Sequence, residues 1–128
     1  MIKAGIIGAT GYAGAELARL LLQRDDVELV WYGSRSYVGE DFASIYRNVA
    51  HAVSEPCKDD DMAKLAEMAD VIFTATPQGF CASQVTEDIL SKTKIIDLSA
   101  DFRIKDVDVY EKWYKIKHAT PQFIGEAV

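Results

Sequence analysis

The stretch "MIKAGIIGATGYAGAELARLLLQRDD", residues 1–26, sets Gly8, Gly11 and Gly14 between an apolar run and an amphipathic one. Glycine weakens regular structure, so three at fixed spacing mark a turn that other residues could not make. The run "IKAGII" (Ile2 to Ile7) has the length and apolar character of a buried strand. "YAGAELARLLLQR" carries a helical period, with Ala13, Leu17, Leu20 and Leu21 on one stripe. A strand, a glycine turn and a helix in that order form the context in which such a pattern has a mechanism.

The alternation continues along the chain. "VELVWY" (Val27 to Tyr32), "DVIFTAT" (Asp70 to Thr76) and "KIIDLS" (Lys94 to Ser99) read as further buried strands. "DDMAKLAEMA", "ASQVTEDILSK" and "DVDVYEKWYKIK" read as helices, the last with Val107, Tyr110, Trp113 and Tyr114 on one face. Strand and helix in regular alternation predict an α/β fold of Rossmann type, doubly wound, with a mostly parallel sheet and helices on both faces. Between Gly33 and Asp59 the pattern is least regular, with "DFASIY" as a short helix and "AVSEP" as an edge strand. There is no internal repeat, low-complexity tract or linker, and residues 1–128 read as one domain. The chain stops inside an apolar segment, "PQFIGEAV", which reads as a cut end of a longer protein.

In such a motif the first glycine permits the turn, the second lets the backbone approach a pyrophosphate, and the third lets helix and strand pack closely. The N–H groups from Thr10 through Gly11 and Tyr12 to Ala13 would face the phosphates at the positive end of the helix dipole. The alternative is a tight strand-to-helix crossing and nothing more. About 20 residues on, a NAD site presents an acid to the ribose 2'-hydroxyl. Here the second strand runs into "YGSRS", which has none. Ser34, Arg35 and Ser36 offer hydroxyls and a guanidinium instead, which suit the 2'-phosphate of NADP; the alternative for Arg35 is a solvated loop residue.

Ligands of a doubly wound sheet lie outside the carboxyl ends of the strands. "TATPQG" therefore places Thr76, Pro77 and Gly79 over the cofactor crevice, and "DLSADFR" brings Asp97, Ser99, Asp101 and Arg103 to the neighbouring end. Ser99, Asp101 and Arg103 are candidates for substrate binding, with Arg103 suited to a phosphate or carboxylate. Against that stands a bland reading in which Asp97 and Asp101 serve as turn and cap residues and Arg103 pairs with one of them.

Other classes are disfavoured. Twenty acidic residues against fourteen basic ones, a net charge of -6, argue against nucleic acid as a partner. No apolar run nears the roughly 18 to 20 residues that span a bilayer, so a soluble, cytoplasmic protein without membrane contact is expected. Cys57 and Cys81 lack metal or disulfide spacing and read as small buried hydrophobes; His51 and His118 share no metal-ligand spacing, so no metal is expected. No Tyr-x-x-x-Lys pair occurs, which removes the proton relay of short-chain dehydrogenases. "KDDD" at 58–61 precedes a helical pattern and reads as an N-cap.

At "GIIGATGYAGAEL", "SRSYVGEDF", "DVIFTATPQG" and above all "IIDLSADFR", followed by the aromatic helix, the chain resembles the N-terminal part of the N-acetyl-gamma-glutamyl-phosphate reductases over nearly its whole length. The resemblance implies reduction of N-acetyl-L-glutamyl 5-phosphate to the 5-semialdehyde with NADPH, releasing phosphate, in arginine biosynthesis. It also implies a longer, homo-oligomeric protein whose catalytic cysteine, which forms a thioacyl intermediate, and acid–base histidine both lie in a further domain beyond Val128. No catalytic residue is then expected in this chain. Cys81, near a helix start, lacks the partner histidine that a nucleophile needs. Gln78 stands where the family often carries histidine. A free-standing NADP-binding or redox-sensing module and the related aspartate-semialdehyde dehydrogenases are the alternatives.

Overall fold

The computed structural model of the chain describes residues 1–42 and 56–126. The elements run β1 (Ile2–Ile7), α1 (Tyr12–Leu22), β2 (Val27–Tyr32), α2 (Met62–Ala66), β3 (Val71–Thr74), α3 (Phe80–Gln84), α4 (Glu87–Lys92), β4 (Lys94–Asp97) and α5 (Val107–Tyr114), closed by a 3-10 turn at Pro121–Glu126. The four strands form one sheet in the order β2-β1-β3-β4, every pair parallel. The order reverses between β1 and β3, which is the switch point where such sheets open a crevice at their carboxyl ends.

Alternation along each strand sends its residues to two cores. Ile6, Tyr32 and Phe73 meet Ala15, Leu17, Ala18 and Leu21 of α1 on one face. Ile7, Trp31 and Ile72 pack on the other against Met62 and Leu65 of α2, Cys81 of α3 and Ile89 of α4. Pairing of β1 with β2 slips between Ala4 and Gly5, so that Val30 is an extra residue and joins Trp31 on the α2 side. This is the expected doubly wound architecture.

Several local expectations are corrected. The buried positions of α1 are Gly14 and Ala18, whereas Ala13 and Leu20 are exposed, because the close approach to the sheet selects small residues for the contact. "ASQVTEDILSK" forms two helices: Val85 and Thr86 are extended, and Thr86 Oγ1 accepts from Ile89 N at 3.2 Å to cap α4. That cap, with Glu87 and Asp88 in the first turn, outcompetes continuation of α3. β3 and β4 are shorter than read, ending at Thr74 and Asp97. On α5, Tyr110 is buried but Trp113 is 74% exposed. "DFASIY" beyond Phe42 and "AVSEP" before Pro56 lie outside the described residues; Asp41 and Pro56, at their flanks, form an isolated antiparallel bridge.

The crossing from β1 to α1 is sterically closed. Gly8 has φ +81°, and a Cβ there would stand 2.3 Å from Ala75 O; at Gly14 it would stand 2.1 Å from Gly8 O. Both contacts are with backbone, which cannot swing away. Gly14→Ala should therefore destabilise the domain by about 1–3 kcal/mol, the usual cost of overpacking, read as a lower urea midpoint with an unchanged m-value.

Candidate functional site

Gly11 differs from its two companions. Its φ of -76° suits any residue, and a Cβ would meet only Gly8 O at an ordinary 3.6 Å. As the N-cap of α1 it provides no side-chain hydrogen bond, although Ser, Thr, Asp or Asn would stabilise the helix more at that place. The fold thus forgoes a cap and leaves a cradle that a side chain would fill. The N–H groups of Tyr12 and Ala13, in the first turn, find no acceptor among the described residues, and the Tyr12 ring is 95% exposed. An anion fits this cradle, since unpaired donors and the helix dipole both favour negative charge.

At the end of β2 the backbone is stitched to the glycine turn by Gly33 N to Ile6 O (2.7 Å) and Ala9 N to Gly33 O (2.8 Å). Ser34 is buried. Its hydroxyl pairs with Thr10 Oγ1 at 2.9 Å and accepts from Ser36 N (3.3 Å) and Tyr37 N (3.1 Å). In this structure Ser34 shapes the loop, and Arg35 and Ser36 are the exposed polar residues beside it. Spacing gave no reason to place Asp60 here, yet its Oδ1 accepts from Gly8 N at 3.4 Å. Burial pushes the Asp60 carboxyl upward, opposed by the Gly8 N–H bond and the nearby Arg35 charge.

Beyond β3, Thr76 lies beside Gly8, and its buried hydroxyl has no hydrogen-bond partner among the described residues. Pro77 is exposed, and Gly79, at φ +91°, starts α3. Gln78 turns towards the fourth strand, where its Oε1 accepts from Ala100 N at 2.9 Å. Asp97 closes β4, accepting from Thr74 Oγ1 (2.8 Å), Ser99 N (2.9 Å) and Ser99 Oγ (2.6 Å). Ser99 Oγ in turn accepts from Asp101 N at 3.2 Å.

Asp101 is fully buried and its carboxylate is committed to the fold. One oxygen accepts from Gly79 N (2.8 Å) and Tyr110 Oη (2.5 Å), the other from Ala82 N (3.0 Å). Asp101 here takes the turn-and-cap role weighed against a substrate contact: it caps α3 and fastens α5 to it. Ser99, 5% exposed and bonded to Asp97, likewise braces the turn. Of the three substrate candidates only Arg103 is exposed, its guanidinium held loosely by the carbonyls of Leu98 and Ser99 at 3.4 and 3.3 Å, with no carboxylate partner among the described residues.

Cys81 is buried, and burial together with the Asp97 charge pushes its thiol up to about 12. A thiol so held forms no thiolate near neutrality. His118 is also buried: Nδ1 accepts from Thr120 N at 3.1 Å, so Nε2 carries the proton and donates to Asp101 O. The Tyr110 hydroxyl is shifted upward by burial and its Asp101 bond. His51 lies outside the described residues. Among the described residues no group of three or more acidic, His or Cys side chains could hold a metal, and no helix is long and apolar enough to cross a membrane.

A family model described as "Semialdehyde dehydrogenase, NAD binding domain" matches residues 3–125. Proteins named N-acetyl-gamma-glutamyl-phosphate reductase from Lachnospira eligens and Lachnoclostridium phytofermentans are 65% and 62% identical over all 128 residues. The chain spans 37% of the length of each. Among solved structures, the aspartate semialdehyde dehydrogenase of Candida albicans with NADP aligns with TM-score 0.55 and 16% identity, over 84% of this chain and 32% of that one. At that identity the likeness is one of fold.

Because a carboxamide cannot accept at both ends, Asp101→Asn leaves at least one of three donors unpaired. Chemical denaturation should show a loss of about 1–3 kcal/mol, and Tyr110→Phe a smaller loss of about 1 kcal/mol.

Proposed function

Since the chain belongs to the semialdehyde dehydrogenase NAD-binding domain family, we propose that it is the NADP-binding portion of an N-acetyl-gamma-glutamyl-phosphate reductase. The open cradle at Gly11, beside the unpaired N–H groups of Tyr12 and Ala13, is the observation that carries the dinucleotide reading. The substrate reading rests on the identity of 62–65% to reductases of that name, far above the 16% to an aspartate semialdehyde dehydrogenase. The reaction would be reduction of N-acetyl-L-glutamyl 5-phosphate to N-acetyl-L-glutamate 5-semialdehyde with release of phosphate.

The bound nucleotide would supply the two electrons and hydrogen that convert an acyl group to an aldehyde. The part of this chain in that work is to bind and orient. Gly8 and Gly14 hold the turn, Thr10 to Ala13 would receive the pyrophosphate, and Arg35 and Ser36 would take the 2'-phosphate on the rim set by Ser34. Thr76, Pro77 and Gly79 would line the crevice towards the nicotinamide. Arg103, with no carboxylate partner among the described residues, is the group suited to a substrate phosphate or carboxylate.

The nucleophile and acid–base group would come from the remainder of the polypeptide, since Cys81 and His118 are spent on the core. Ile96 and Leu98, 47% and 45% exposed along β4 and its end, leave apolar surface that the remainder of the polypeptide would cover. In calorimetry Arg35→Ala should weaken NADPH binding by about 1.5–3 kcal/mol, the range for a charge-assisted contact, and leave NADH unchanged. Gly11→Val should abolish binding of both while circular dichroism stays native. Undiminished binding in Gly11→Val would overturn the dinucleotide reading.

A further inference from the structure

The acidic run at 59–61 is only partly absorbed by helix capping. Asp61 caps α2 by accepting from Lys64 N at 3.1 Å, and Asp59 accepts from Asp61 N at 3.3 Å while its carbonyl takes Trp31 Nε1 at 2.8 Å. Asp60 belongs to neither arrangement. Its side chain turns to the carboxyl ends of β1 and β2, where Oδ1 meets Gly8 N and stands 2.7 Å from the place a Cβ of Gly33 would occupy. Gly33 follows β2, the strand end at which a dinucleotide site normally carries its ribose-binding acid. The sequence has no acid at that point, and the fold brings one from 27 residues further on, the difference between positions 33 and 60.

Two features suit Asp60 to a ligand. It is only partly buried, and its Oδ2 makes no hydrogen bond among the described residues. Arg35, close enough to act on it through charge, leaves from the same strand end with its side chain exposed. Cation and anion therefore flank one short stretch of crevice.

We propose that Asp60 is a cofactor-selectivity residue working against Arg35: its carboxylate accepts from a free ribose hydroxyl of the adenosine half and repels a 2'-phosphate. The inference rests on the dinucleotide reading of the glycine turn. NADPH and NADH differ at this position by one phosphate alone, so the ratio of their dissociation constants isolates what Asp60 does. A residue that only braced Gly8 would change both constants together.

The test is a titration of the full-length polypeptide with NADPH and NADH, for the unmodified protein, Asp60→Asn, Asp60→Ser and Arg35→Ala. Asp60→Asn keeps an acceptor for Gly8 N and removes the charge; Asp60→Ser serves should the first variant not fold. Either should raise the ratio Kd(NADH)/Kd(NADPH) roughly tenfold, the scale of one charge-assisted contact, whereas Arg35→Ala should lower it. An unchanged ratio, an equal loss for both nucleotides, or a ratio that falls would overturn the proposal. If the unmodified protein bound neither nucleotide, the dinucleotide reading itself would fail instead.

Discussion

The contact on which the rest depends is the seating of the first turn of α1 on the carbonyl of Gly8. Gly14 can approach that carbonyl only because neither residue carries a side chain, and Gly8 can turn there only because φ +81° costs glycine nothing. Once the helix is seated, its buried face needs small residues, hence Gly14 and Ala18. Its N-terminus is then aimed over the switch point between β1 and β3. The same constraint that closes the packing therefore directs the helix dipole and its unpaired donors at one end of the sheet.

A second fastening acts at the far side of the crevice. Asp101 ties the start of α3 to Tyr110 of α5 through its carboxylate and to His118 through its carbonyl. Gln78 and Asp97 join the ends of β3 and β4 through Ala100 and Thr74. Polar residues that would make a credible active site on paper are thus engaged with one another. The work of this end of the domain is to hold the loop so that Arg103 stands outward. Buried polar networks of this kind are high in stakes, since each lost partner strands another group.

The parallel sheet and the glycine turn were legible in the sequence because each depends on local pattern: alternating apolar runs, helical period and glycine spacing. The split between α3 and α4 was also written locally, in Thr86 followed by Glu87 and Asp88, but an uninterrupted helical period masked the cap. What the sequence hid was the direction of polar side chains. Ser34 has the residue type of a ligand contact, and only the surrounding fold shows its hydroxyl turned inward; for Asp101 the sequence left ligand contact and cap both open, and the fold shows the carboxylate turned inward. Asp60 is the converse, a residue whose neighbours spoke for a helix cap while a long-range contact with Gly8 carries it into the crevice.

The central claim is that the donors at the start of α1, opened by Gly11, receive the phosphates of a nicotinamide dinucleotide. An isotope-labelled amide titration of the chain with NADPH tests it most directly. The account predicts saturable shifts concentrated at Tyr12 and Ala13, with the buried amide of Ala82, already bonded to Asp101, moving least. Unmoved amides at Tyr12 and Ala13 under saturating NADPH would contradict it.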